Sequence, residues 1–131
     1  MKKIEFKDRI TREEVRQNRF KIFVFGDNLE EIGYGGQAKA MRGEYNTIGI
    51  PTKQSPFMYF SDDDYDKVKD IILAKFGIIE SHLQCNHIVV LPKAGVGTGL
   101  ARLKEKAPKI WNLIKENLLK LGWKENDNKK C

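Results

Sequence analysis

Cysteine is scarce in this 131-residue chain, with only Cys85 and Cys131. That excludes the disulfide framework of a small secreted domain, and two cysteines do not make a zinc pattern. Long apolar runs are also missing: nothing approaches the roughly 20 residues of a membrane span. The start, Met1 to Lys7, turns polar too early for a signal peptide. Histidine is limited to His82 and His87, which flank Cys85 near a helix-to-strand junction and read as packing or surface residues. HExxH, GxSxG and CxxC are absent, and Asp62, Asp63 and Asp64 read as helix capping, so no metal site is expected. These absences imply a cytoplasmic protein with no membrane partner and no resident cofactor.

What is present suits one ordinary domain, expected over residues 1–123, followed by a flexible tail at 124–131. Apolar residues make up 40% and charged residues 32%, enough for a solvated globule with a real core. The net charge of +6 is uneven: +4 over residues 1–21, −3 over 22–101 and +5 over 102–131. Nucleic acid is therefore a possible partner through the basic ends. The same lysines also read as solvated faces of amphipathic helices.

Thr11 and Glu14 form a capping box for a short first helix. Phe20–Phe25, closed by Gly26, reads as a buried strand. Gln37–Arg42 reads as a short helix closed by Gly43, and Thr47–Ile50 as a strand stopped by Pro51. Ser61 starts a helix with the stripe Tyr65, Val68, Ile71, Ile72 and Phe76; Gly77 ends it or merely weakens it. Ile88–Leu91 is an unbroken apolar strand, as expected in mid-sheet. A last helix starts near Pro108 and ends at Gly122. Alternating strands and helices predict an α/β fold with a parallel-rich central sheet.

In such sheets ligands bind beyond the carboxyl ends of the strands. Two strands run there into glycine-rich loops. Gly26-Asp27-Asn28 leads to Gly33-Tyr34-Gly35-Gly36-Gln37 and a helix. Pro92-Lys93-Ala94-Gly95-Val96-Gly97-Thr98-Gly99-Leu100 follows the other. Glycines let successive amides approach one anion, so the pair points to a phosphate-bearing nucleotide-type ligand. Neither loop is a Walker loop or a GxGxxG fingerprint. Asp27 and Asn28 are placed to bond a base edge or ribose, or simply to cap the turn. Thr52 and Lys53, just beyond Pro51, face the same place, although Lys53 also reads as a solvated lysine. Phe57-Met58-Tyr59-Phe60 offers an aromatic wall, with at least two of the four expected in the core.

The order of these pieces resembles the macrodomain family of ADP-ribose-binding modules. The carriers are Gly33–Arg42, Ile50-Pro51-Thr52-Lys53, the acid-capped helix and Leu91–Leu100, together spanning roughly residues 22–121. It is most similar to the branch of terminal ADP-ribose glycohydrolases and of antitoxins that strip ADP-ribose from DNA. The resemblance implies a three-layer α/β/α sandwich. It also implies Asn28 at the distal ribose, Gly33, Gly35 and Gly36 at the ribose and diphosphate, and the loop Gly95–Gly99 around the phosphates. The hydrolase branch carries an acid after Gly-Leu of its second loop, where this chain has Ala101. It also carries a lysine after the first loop, where Arg42 and Gly43 stand and Lys39 lies one turn earlier.

Three readings follow. The first is a binder of ADP-ribose, free or on protein or nucleic acid. The second is an ADP-ribosyl glycohydrolase or nucleotide phosphoesterase using Asp27 and Lys39 as catalytic groups, with Lys53 and Lys93 nearby. The third is a nucleic-acid binder working through its basic ends.

Overall fold

The computed structural model describes residues 3–125. A mixed five-stranded sheet has the order β1-β5-β2-β3-β4, built from β1 (Ile4–Lys7), β2 (Lys21–Asn28), β3 (Thr47–Ser55), β4 (Met58–Tyr59) and β5 (Ile88–Pro92). All neighbours run parallel except the short hairpin partner β4. The helices are α1 (Arg12–Gln17), α2 (Ala38–Met41), α3 (Tyr65–Gln84), α4 (Leu103–Lys106) and α5 (Pro108–Lys120). The architecture is α/β, as expected.

Side-chain alternation along the strands divides the core. Val24, Ile48, Ile50, Val89 and Leu91 pack with Val68, Ile72 and Phe76 of α3 and with Ile110, Ile114 and Leu118 of α5. Phe23, Phe25 and Val90 face the other way, against Val15 of α1 and Ala38 and Met41 of α2. Strand residues of opposite parity thus bury against different helices, which keeps the parallel register fixed.

Several boundaries move from the sequence reading, each for a local reason. β1 was not foreseen, because Ile4-Glu5-Phe6-Lys7 is only four residues long and sits half-buried at the sheet edge. Ile4 and Phe6 reach the core, while Glu5 pairs with Lys21 at 2.9 Å. β3 does not stop at Pro51 but runs on to Ser55. Proline has no N–H to give; beside it, Thr52 Oγ1 donates to the Asp27 carbonyl at 3.0 Å, where the register with β2 shifts. α3 runs through Gly77 for 20 residues because Ile79 and Leu83 continue its buried stripe.

The acidic start of α3 is structural. Asp62–Asp64 form a 3-10 turn, Asp64 accepts from the Ser61 amide at 2.9 Å, and Asp62 accepts from the Lys109 amide at 2.9 Å. That last bond fixes the start of α5 against the start of α3. At the other end of the chain Glu125 pairs with Lys115 at 3.0 Å; of the expected tail 124–131, residues 126–131 lie outside the described residues. No helix among the described residues is long and apolar enough to cross a membrane.

Candidate functional site

β2 and β5 are direct neighbours, so the two glycine-rich loops leave the sheet side by side. Between them lies a cleft of about 430 Å³, lined among others by Gly26, Asn28, Gly33–Ala38, Thr52, Lys53, Gly97 and Gly99. Six glycines, Gly26, Gly33, Gly35, Gly36, Gly97 and Gly99, bare the backbone in its walls. The amides of residues 33–37, and those of Gly97, Gly99, Leu100 and Ala101, all in the cleft lining, donate to no other described residue. Two runs of unpaired N–H groups therefore border one opening, a geometry that suits an anion with several oxygens. α2 is a single turn, so the loop amides rather than a helix dipole carry this polarity.

Asn28 is buried at the end of β2. Its Nδ2 donates to the Ile32 carbonyl at 2.9 Å, but its Oδ1 is buried with no partner among the described residues. An unpaired buried acceptor costs about 1–3 kcal/mol, and such groups in native structures call for an explanation.

Gln37 ties the loops together. Its Oε1 accepts from the Gly26 amide at 2.7 Å and its Nε2 donates to the Gly95 carbonyl at 3.1 Å. Both ends of this amide are used by the protein, so its first duty is to set the spacing of the loops.

Asp27 is engaged rather than free. Arg42 grips both of its carboxylate oxygens, one in a very short contact and the other at 3.3 Å, and the Asn28 amide donates to Oδ1 at 2.8 Å. Arg42 also donates to the carbonyls of Gly33 at 2.6 Å and Ile32 at 3.1 Å, so one guanidinium straps the first loop to β2. Gly49 is small because a Cβ there would lie 2.6 Å from Asp27 Oδ2. Sequence reasoning did not assign Arg42 this part; the signal available was a bidentate donor placed one short helix after an aspartate.

Of the expected site residues, the structure brings Asp27, Asn28, Gly33, Gly35, Gly36, Gln37, Thr52, Lys53, Gly97 and Gly99 to the cleft, with Ala101 also in its wall. It does not bring Lys39, Lys93, Ala94, Gly95, Val96 or Thr98 to that lining. Lys93 reaches back to Asp8 at 3.6 Å, and Val96 is buried in the core. Thr98 Oγ1 turns onto the Ala94 carbonyl at 2.8 Å. Lys39 instead borders a second cleft of about 350 Å³, which shares Gly36 and Gln37 with the first. The aromatic wall is less buried than expected: of the four residues only Phe60 enters the core, while Phe57, Met58 and Tyr59 are exposed because they sit on the short hairpin to the edge strand β4, and Phe57 lines the cleft mouth.

Away from the cleft, His82 and His87 stack with Nδ1 atoms 2.9 Å apart. Burial, and then the neighbouring His87, lower the His82 pKa. Cys85 is exposed and free, and no group of three or more metal-ligating side chains is placed to hold an ion among the described residues.

Fold and cleft together define a parallel-rich α/β domain with a glycine-lined pocket at the carboxyl edge of its sheet. A family model described as a family of unknown function (DUF7831) matches residues 5–117, and the chain belongs to that family. No curated protein and no solved structure matches it.

Proposed function

We propose that the protein binds ADP-ribose, free or attached to a macromolecule, through the two glycine-rich loops and does not hydrolyse it. The observation that carries this reading is the pair of unpaired amide runs in loops that border one cleft from adjacent strands. A diphosphate offers several oxygens to such a surface. The second cleft lies on the other side of Gly36 and Gln37, which line both. Asn28, which the resemblance puts at the distal ribose, is in the cleft lining. The parallel-rich sheet covered by helices on both faces agrees with the macrodomain resemblance.

Binding is favoured over hydrolysis by what surrounds the acidic group. A general base must reach the proton it takes, yet Asp27 spends its oxygens on Arg42 and the Asn28 amide. Lys39 lies outside this cleft, and Ala101 stands in its wall where the resembling hydrolases have an acid.

Calorimetric titration with ADP-ribose tests the reading, with ADP, AMP and NAD as comparators. The decisive variant is Gly99→Glu. Gly99 lines the cleft and a Cβ there meets nothing within 4 Å, so the substitution adds negative charge at the cleft wall without disturbing the fold. Micromolar binding of ADP-ribose, lost in Gly99→Glu at unchanged melting temperature, is expected. No binding of any of the four would overturn the proposal, and release of ADP-ribose from modified DNA or protein would overturn its non-hydrolytic part.

A further inference from the structure

The mouth of the cleft carries more exposed apolar surface than a small-ligand pocket requires. Phe57 is 96% exposed, Leu100 66%, Tyr34 64% and Ile32 51%, and all four line the opening. Isolated exposed apolar residues are ordinary, but a set around one opening marks a contact surface. The turn bearing Phe57 leans on the first loop, since a Cβ on Gly33 would lie 3.3 Å from Pro56 Cγ. Tyr34 and Phe57 are therefore rings on adjoining lips of the same mouth.

Beside them is a cluster of cations. Lys53 Nζ lies 5.2 Å and Lys106 Nζ 4.9 Å from the centre of the Tyr59 ring. Arg102 is close enough to Tyr59 for its hydroxyl to act on the guanidinium, after the larger influence of Glu105, its ion-pair partner at 2.7 Å. Glu105 offsets one of these three charges. Lys53 lines the cleft and donates to the Pro56 carbonyl at 2.6 Å, so the cluster is continuous with the aromatic lips.

Exposed rings interleaved with cations are the chemistry of a single-stranded nucleic-acid platform, where bases stack and lysines or arginines take phosphates. A protein partner would favour an apolar patch depleted in lysine at its centre. The geometry points to a docking surface for single-stranded nucleic acid at the cleft mouth, with Tyr34 and Phe57 stacking bases and Lys53, Lys106 and Arg102 holding the backbone. The basic stretch that begins at residue 102 thus enters at the site itself rather than as a remote charged end. This surface does not depend on which nucleotide fills the cleft.

Fluorescence anisotropy with labelled oligothymidylate and oligouridylate of about 12 nucleotides tests it, on the full chain, between about 50 and 200 mM salt. Single strands of one or both sugars bind, and duplex DNA binds more weakly. Phe57→Ala and Tyr34→Ala, at exposed positions that do not hold the fold, each weaken binding at least about fivefold. Lys106→Ala flattens the slope of log affinity against log salt by about 0.7. Lys120→Ala, an exposed change on α5, leaves the affinity unchanged.

Absence of saturable binding at the lowest salt, equal affinity for duplex, or affinity indifferent to Phe57→Ala and Lys106→Ala would each overturn the proposal. Lys106 is outside the cleft lining, so Lys106→Ala keeps wild-type affinity for ADP-ribose. Failure of the nucleotide reading therefore shows in the calorimeter alone, and failure of the strand reading in the anisotropy alone.

Discussion

The two glycine-rich loops look alike as text and are built on opposite physical terms. In the first, a Cβ on Gly35 or Gly36 would meet only Leu100 Cδ1, at an ordinary 3.6 Å. This loop is held by polar bonds, chiefly the Arg42 guanidinium on the Gly33 and Ile32 carbonyls. The second loop is held from beneath. A Cβ on Gly95 would lie 2.9 Å from Trp123 Cζ2, and one on Gly97 would run into Leu103 Cδ1, a fully buried side chain. Glycine keeps the first loop open to what lies outside it, and lets the second sit tightly on the core. Only at Gly99 does the second loop become as open as the first.

Breaking the polar strap gives the largest expected effect. Arg42→Met leaves the Asp27 carboxylate buried without its partner and frees the Gly33 carbonyl. Loss of one member of such a pair costs about 3–5 kcal/mol, read as a lower urea midpoint. A change below about 1 kcal/mol would mean that the strap is not what holds the first loop.

Next comes the packed loop. Gly97→Ala adds a methyl group against Leu103 and requires alanine at φ +82, so it costs about 2–4 kcal/mol. Gly99→Ala, two residues on, stays within about 0.5 kcal/mol. Equal costs at the two positions in thermal denaturation would erase the contrast within the second loop.

The smallest effect is a pH dependence behind the first loop. Arg12 donates to the Arg42 and Lys39 carbonyls at 2.9 and 3.0 Å and, with Arg16, to Glu44 at 2.7 and 2.9 Å. The Arg12 hydrogen bond, aided by Arg16, holds the Glu44 pKa below the ordinary range. Its stabilisation is complete above the unfolded value, about 4.3, and is lost as pH falls below that. Glu44→Gln therefore lowers stability modestly at neutral pH, where the contribution of the carboxylate is complete, and converges on the wild type in acid, so its stability varies less with pH. Identical acid profiles for the two proteins would exclude Glu44 as a source of the acid sensitivity.

Much of this was legible in the residues. The unbroken run Ile88–Leu91, the stripe of α3 and the glycine loops after β2 and β5 carry their own periodicity or punctuation. The adjacency of those loops was not legible, because it follows from β5 sitting between β1 and β2. Side-chain direction was the other hidden quantity. Lys39 and Arg42, three apart, would share a face on a continuous helix. Yet the Arg42 guanidinium is drawn to Asp27 and the loop carbonyls, while Lys39 borders the other cleft, and which way two long flexible side chains extend is not written in their spacing. β1 escaped notice because an edge strand of four half-buried residues has only weak alternation.

The seat of the second loop also gives the molecule an optical character. Its two tryptophans, Trp111 and Trp123, are both buried and meet edge to face with ring centres 6.1 Å apart. Trp123 lies directly under Gly95, and its indole N–H donates to the Lys93 carbonyl at 2.8 Å. All indole emission therefore originates from one coupled pair of chromophores pressed against the floor of that loop. The chain contains its own spectroscopic gauge of the loop, with no dye and no substitution required.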